Sequence, residues 1–313
     1  MKKHIFVLGE SLMDCIAQPD GQLRPLRGGS PYNMARAASL RGATVHYLNP
    51  LSTDSFGQEL GVQLEADGVQ ISPQRSPRPT SLAVVQIQDG QPSYGFYREG
   101  IADRDYTADA MLQRLAAHAQ AHGPGVLNTG SLLLIPPEID KVQAVVQQAR
   151  AAGWTISMDV NLRPQVASDV KAYANAIRAL LPFADWIKAS DEDLQTLGFG
   201  AARLDAAPAL AQALRSACAG AASRIALTFG GDGAYLQVDG SSAALPAPRV
   251  AVVDTVGAGD TFWGNCVADW VLGHSASTEA TLRSAMQAAA INCTRAGCQP
   301  PRWSEVQAFA NGA

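Results

Sequence analysis

Two glycines and a carboxylate fall together at Gly257-Ala258-Gly259-Asp260, and that spacing suits one kind of chemistry. Glycines let backbone N–H groups converge on one point, and a helix starting there adds partial positive charge, so the loop is suited to an anion such as phosphate. Asp260 stands where the helix begins. By itself it reads as a helix cap; beside a phosphate cradle it also reads as a base held against the group that attacks phosphorus. Two familiar glycine motifs do not fit. The dinucleotide pattern G-x-G-x-x-G needs glycine where Phe262 stands, and the P-loop needs Lys-Ser/Thr where Gly264 is followed by Asn265 and Cys266.

Other polar residues gather after strand-like runs. Asp14 interrupts an apolar segment and reads either as an edge-strand acid or as an acceptor for hydroxyl groups. Gly28-Gly29 lead into an Ala-rich helix with Asn33 in its first turn. Asp159, Asn161 and Arg163 offer an acid, an amide and a guanidinium on alternate positions, as a capped loop or an anion site would. The stretch Lys188 to Leu194 reads as a capped, acidic helix start, and Ile225 to Ala234 as a buried strand running into a Gly-rich turn at Thr228 to Gly233, such as closes a hairpin. His118 and His122, four apart in a helical stretch, face one way, but no carboxylate accompanies them and a solvated helix face is the simpler reading.

These residues need a frame. Strand-like runs at 5–9, 44–48, 126–127, 155–158, 186–187 and 225–229 alternate with helical patterns at 55–67, 137–151, 167–181 and from 191, and an Ala-rich helix is expected within 198–223. That rhythm predicts a mainly parallel sheet covered by helices on both faces, with ligands at the carboxyl ends of the strands. The apolar run 250–253 predicts a buried strand before the glycine loop; helices are expected from Asp260 through 272 and over 278–294.

With 313 residues, 47% of them hydrophobic, and a net charge of −4 without basic runs, the chain suits small-molecule work rather than nucleic acid. The opening residues read as a strand rather than a signal peptide, no segment is apolar enough to span a membrane, and five cysteines without a C-x-x-C pair read as reduced thiols; a cytoplasmic protein is expected.

The run Asp-Thr-Val-Gly-Ala-Gly-Asp-Thr-Phe-Trp-Gly at 254–264 closely resembles the C-terminal signature of the ribokinase-like, or PfkB, carbohydrate kinases, and the elements above recur in that family's order over nearly the whole chain. The resemblance implies one ribokinase-like α/β domain over 1–313, with a small lid sheet drawn from about 11–28 and 80–99. It implies Asp260 as catalytic base and Gly257, Ala258 and Gly259 as anion hole; because Asp260 stands at a helix N-terminus, its pKa is expected to be low. It implies Asp14, Gly28, Gly29, Asn33, Arg98 and Arg163 around a sugar, and Lys188, Asp193, Thr228, Gly230, Gly231 and Gly233 around ATP. The family's Asn-x-x-Glu element is replaced by Ser190 and Asp193, so either Asp193 or Glu192 organises Mg²⁺-bound water. A monovalent cation such as K⁺ is implied at Asp254, Val256, Asn292, Arg295 and Gly297, and a homodimer through the lid by analogy. Gly-Glu-Ser-Leu-Met-Asp, Phe-Tyr-Arg before Ala-Asp, and Asp-Val-Asn-Leu-Arg-Pro look most like the fructokinases, with ketodeoxygluconate and nucleoside-type kinases sharing much of the pattern. A silent sugar or nucleotide sensor on the same fold and a nicotinamide oxidoreductase are the readings from other classes.

Overall fold

The computed structural model describes residues 3–18, 20–88, 91–274 and 276–312, with the side chains of 85–94 and 312 outside that description. The turn residue Pro19 and the side chains expected to alternate at 92–94 therefore lie outside the described residues. Strand β1 (Ile5–Leu8) is buried at every position, which a strand sustains only when both faces of its sheet are covered. In chain order follow β2 (Leu12–Ala17), β3 (Leu23–Gly28), β4 (Val45–Tyr47), β5 (Leu51–Ser52), β6 (Gln70–Ile71), β7 (Arg75–Ser76), β8 (Ser81–Gln88) and β9 (Gln91–Tyr97). Then come β10 (Val126–Gly130), β11 (Thr155–Asp159), β12 (Trp186–Ser190), β13 (Arg224–Thr228), β14 (Ala234–Val238) and β15 (Ser241–Leu245).

The principal sheet runs β15-β14-β13-β12-β11-β10-β1-β4-β6. Its pairs are parallel from β6 to β13, and the last two, β13 with β14 and β14 with β15, are antiparallel. The helices are α1 (Ser30–Leu40), α2 (Ser55–Ala66), α3 (Ala108–His122), α4 (Glu138–Ala151), α5 (Val170–Leu180), α6 (Asp191–Thr196), α7 (Ala207–Ala217), α8 (Ala258–Leu272), α9 (Thr278–Cys293) and α10 (Trp303–Gly312). Their apolar stripes form two cores. One joins α3, α4, α5 and α7 to one sheet face, and the other joins α1, α2, α8 and α9 to the opposite face. Thr107, Asp169 and Ser277 start α3, α5 and α9 by accepting a hydrogen bond from a first-turn N–H. Of the Ala-rich stretch 198–223, the α-helical part is α7. No helix among the described residues is long and apolar enough to cross a membrane.

A second sheet, β3-β2-β8-β9, stands apart from the first and uses strands from the two segments expected to form it. Register places Asp14, Leu26 and Ala83 on one of its faces and Cys15, Pro25 and Val84 on the other.

The segment 250–253 is not a strand. It is irregular, with Val252 61% and Val253 64% exposed. Its β-branched residues suggest a ladder, but it joins none among the described residues; the N–H groups of Val253 and Asp254 instead donate to the Cys293 carbonyl at the end of α9, at 2.8 and 3.2 Å.

Helices α1 and α8 pack closely because Gly264 has no side chain. A Cβ there would lie 2.7 Å from the Met34 carbonyl oxygen and 2.8 Å from the Ala37 methyl. Gly264→Val should therefore force the two helices apart, at a cost of about 1–3 kcal/mol, and displace α1 from the start of α8. Thermal unfolding and kcat measured together check this; a variant with unchanged Tm and unchanged kcat contradicts it.

Candidate active site

The carboxyl ends of the parallel strands and the start of α8 meet at one place. Gly257 precedes α8 in the left-handed region, φ 74°, and a Cβ on it would stand 2.1 Å from Cys298 Sγ, so both conformation and space require glycine. The first N–H groups of an α-helix have no partner within it, and at α8 these point out of the loop. One is diverted: Ala258 donates to the Thr255 carbonyl at 3.2 Å. Gly259 and Asp260 carry the neighbouring donors. A Cβ on Gly259 would lie 3.3 Å from Lys188 Nζ, so an ammonium sits against the same loop.

Lys188, in the middle of β12, is buried and donates to both oxygens of Asp159 at the end of β11, at 2.8 and 3.0 Å. Burial pushes the Asp159 carboxyl up to about 6, and the Lys188 pKa is raised as the neighbouring carboxylates outweigh its desolvation. Both groups are therefore ionised at neutral pH. The pair has no net charge, but it fixes the Lys188 ammonium on the side facing the loop, beside Gly259.

Asp260 is buried, and α1 holds both its oxygens: the Ser30 hydroxyl donates to Oδ1 at 2.7 Å and Asn33 Nδ2 to Oδ2 at 2.9 Å. Its pKa is raised, against the low value expected of a helix N-terminus. Desolvation is the largest cause and outweighs the hydrogen bonds from Ser30 and Asn33 and the charges of Lys188 and Arg163, which pull the other way. Asn33 thus spends its amide N–H on Asp260, while its Oδ1 has no hydrogen-bond partner among the described residues.

Asp14 faces the same space from the second sheet. Its Oδ2 would lie 2.2 Å from a Cβ on Gly28, so that glycine makes room for the carboxylate. Gly29 follows with φ 105°, and a Cβ there would meet the Glu10 carbonyl at 2.7 Å. Burial, opposed by Arg163 and reinforced by Asp260 and Asp254, raises the Asp14 pKa to about 6. Arg163 is anchored by its own loop, donating to the Leu162 carbonyl at 2.9 Å.

Asp193 shapes that loop. Its Oδ1 accepts from Leu162 N at 2.6 Å and its Oδ2 from Ser190 N at 2.7 Å, completing a capping box with Ser190 at the start of α6. Glu192 beside it is exposed. Thr228 ends β13, and the turn beyond it closes a hairpin: Phe229 N donates to the Gly233 carbonyl at 2.9 Å. A Cβ on Gly233 would meet the Leu245 carbonyl at 2.1 Å, whereas Gly230 and Gly231 have open space beside them. The five residues proposed around a cation lie together. Asp254 accepts from Val256 N and Gly297 N at 3.0 and 2.8 Å, Asn292 Nδ2 donates to the Val256 carbonyl at 2.8 Å, and Arg295 donates to the Gln299 carbonyl at 3.0 Å.

Arg98, expected at the sugar, belongs to a neighbouring buried cluster with Glu10 and Asp103, of which the sequence did not single out Glu10. Glu10 lies two residues beyond β1, an interior parallel strand, and its Oε1 accepts from Ser30 N at 3.3 Å. Arg98 donates to the Leu132 carbonyl at 3.4 Å, while Glu10 Oε2, Arg98 Nε and Nη2 and both Asp103 oxygens have no hydrogen-bond partner among the described residues. Burial raises Glu10 to about 7 and Asp103 to about 6, with Arg98 opposing both. Buried polar atoms left open in this number are the mark of a site completed by a polar ligand. The available signal for Glu10 was its place, the first polar residue beyond the carboxyl end of a buried parallel strand.

Known proteins resemble this chain in sequence and fold. Residues 2–305 match the pfkB family of carbohydrate kinases. A fructokinase of Rhizobium leguminosarum bv. trifolii is 32% identical over 263 residues, 82% of this chain and 77% of that protein. The crystal structure of a fructokinase from Xylella fastidiosa with bound ATP superposes with a TM-score of 0.82 at 25% identity, covering 99% of both chains. A fructokinase double mutant from Vibrio cholerae, in a form with fructose, ADP and potassium ion bound, shares the fold with a TM-score of 0.80 at 22% identity, covering 98% of both chains. With a glycine loop opening α8, a buried acid at its start and this match along nearly its full length, the chain belongs to the pfkB family of carbohydrate kinases and is an ATP-dependent sugar kinase.

Proposed function

We propose that this kinase transfers the γ-phosphate of ATP to a primary hydroxyl of fructose. Its similarity to fructokinases supports the sugar, and the placement of Asp260 carries the mechanism: a buried carboxylate at a helix start, both oxygens held from α1, beside first-turn N–H donors and a buried ammonium. In this reading Asp260 takes the hydroxyl proton. The N–H groups of Gly257 to Asp260 stabilise charge on the transferring phosphoryl oxygens, Ala258 with the weakest aim because it also serves Thr255. Lys188, held by Asp159, and Arg163 supply fixed positive charge. The raised pKa makes Asp260 a better proton acceptor than an exposed aspartate.

Asp14, Gly28, Gly29, Asn33 and Arg98 surround the sugar, with Glu10 and Asp103 added from the buried cluster. Thr228, Gly230, Gly231 and Gly233 line the nucleotide; Gly233 acts by shaping the hairpin and the other two glycines by leaving space. Mg²⁺, which the family's use of ATP implies, neutralises phosphate charge when bound. Asp193 holds the Arg163 loop and so acts by positioning, and the exposed Glu192 is free to face Mg²⁺-bound water. Asp193→Ala should then lower kcat by loosening Arg163, while Glu192→Ala should raise the Mg²⁺ concentration needed for half-maximal rate; a Mg²⁺ titration shifted by the first variant alone returns the role to Asp193. Asp254, Val256, Asn292, Arg295 and Gly297 form a loop suited to a monovalent cation such as K⁺, to which backbone carbonyls contribute.

Residues 1–313 act as one kinase domain with the second sheet as lid over the sugar. Leu23 and Tyr97 share the lid face opposite Asp14 and are 50% and 64% exposed, which suits a second copy of the chain. A coupled assay over a panel of sugars and nucleosides, with ATP and Mg²⁺, tests the reading. Fructose should give the highest kcat/KM; a preference for a ketodeoxysugar acid or a nucleoside replaces the substrate, and absence of transfer to every acceptor removes the catalytic claim.

A further inference from the structure

At the other end of β1 from Glu10, four of the chain's five histidines meet. Alternation along an extended chain puts His4 and Phe6 on one face of the sheet, and the parallel register of Phe6 with His46 brings His46 beside them. Helix α3 covers that face and lays His118 and His122, one turn apart, over the pair. His4 Nδ1 and His46 Nε2 share a hydrogen bond of 3.1 Å. One ring nitrogen from each of His4, His46 and His118 falls within 4.8 Å of the others. The His122 ring lies with its centroid 5.5 Å from that of His4 and 4.8 Å from that of His118. Phe6 stacks on His46 at 4.3 Å, and the buried Trp154 meets Phe6 edge-on at 5.1 Å, so the rings are backed by a rigid aromatic wall.

We propose that His4, His46 and His118 form a binding site for a divalent transition ion of the zinc class, with His122 as a fourth ligand within reach. Imidazole nitrogens without thiolate or carboxylate suit Zn²⁺, Ni²⁺, Co²⁺ or Cu²⁺ rather than Mg²⁺ or Ca²⁺. Two nitrogens about 2.0–2.1 Å from one tetrahedral ion stand roughly 3.3 Å apart. His4 and His46 are already at that spacing, and His118, half-buried on a helix surface, needs only a small rotation to join them. The ion replaces the proton shared by His4 and His46, which moves to the other nitrogen of the same ring. Burial, with mutual repulsion among the rings and the nearby Arg114, lowers the pKa of His46 to about 4, and burial lowers His4 and His118 as well, so neutral ligands await the metal near pH 7. Arg114 is itself turned to the Leu48 carbonyl at 2.7 Å, away from the ring nitrogens it would otherwise compete for.

The site lies about 20 Å from Glu10 along β1, by the rise of an extended strand, and so is separate from the phosphate loop. Its occupancy fastens α3 to β1 and β4 at the amino ends of the strands. The role is a clasp, read out in stability and not in chemistry.

The test uses the full chain without a polyhistidine tag. Zn²⁺ alone is titrated by calorimetry, Co²⁺ alone by visible absorption, and thermal unfolding is followed with and without Zn²⁺. Wild type should bind one Zn²⁺, gain several degrees in Tm that a chelator reverses, and give a tetrahedral Co²⁺ band without thiolate charge transfer. His46→Gln and His118→Gln should each weaken binding by about 10–100-fold, and His274→Gln, altering the exposed fifth histidine, should leave it unchanged. Circular dichroism without metal checks that each variant folds; if His46→Gln does not, the half-buried His118→Gln decides. No binding by wild type below about 1 mM, a thiolate band, or equal binding by wild type and His118→Gln would overturn the proposal.

Discussion

Asp260→Asn is expected to lower kcat by about 10²–10⁴-fold, the range for loss of a general base, with little change in affinity for sugar or ATP. The amide keeps the volume and the position at the start of α8, and can still accept from Ser30 through its oxygen. It cannot take a proton. It also turns an N–H₂ group toward Asn33 Nδ2, and an Asn33 side-chain flip, which presents its now unpartnered Oδ1, relieves that clash. Loss of turnover with intact binding therefore separates proton transfer from misfolding. Equal losses in turnover, sugar affinity and Tm would mean that Asp260 serves mainly to tie α1 to α8.

The second large effect falls on the sugar. Asp14→Ala should raise the sugar KM by about 10- to 100-fold, the value of one or two hydrogen bonds to a charged acceptor, while leaving the KM for ATP nearly unchanged. Asp14 reaches the cavity from the second sheet, next to the space that Gly28 leaves open, and its nearest charge partners are Arg163 and Asp260 rather than any nucleotide-side residue. Because its folded pKa is raised to about 6, the carboxylate is fully ionised only above that value, and the sugar KM of wild type should rise as pH falls through 6. In Asp14→Ala that rise should vanish. Steady-state kinetics in both substrates from pH 5 to 8 distinguishes this from a general loss of the lid, which would weaken both substrates at every pH.

Much of the framework could be read from local pattern. The fully buried β1, the strand-and-helix rhythm and the placement of polar residues at strand carboxyl ends all follow from periodicity, and the glycine loop from composition. What escaped depends on register between distant segments. The run 250–253 has strand composition but is assigned to no strand, and the Cys293 carbonyl at the end of α9 takes the Val253 N–H instead. Asp260 stands at a helix start, which argues for a low pKa, but α1 seals it from water, and only the packing at Gly264 reveals that. Glu10 lies far in sequence from Arg98 and Asp103 and looks ordinary alone; the burial it shares with them and their open hydrogen-bonding atoms are visible only in three dimensions. His4 and His46 become partners of His118 through the pairing of β1 with β4, a register that no single segment encodes.

The most direct test of Asp260 as the base is single-turnover transfer from ATP at saturating sugar, followed against pH in wild type and Asp260→Asn. An ionised base is needed, so the wild-type rate should climb with pH and level off above the raised pKa of Asp260, higher than the ordinary 3.8. The variant should be slow and flat across the same range, whereas a variant that keeps the wild-type rate, or the same rise with pH, would contradict the account.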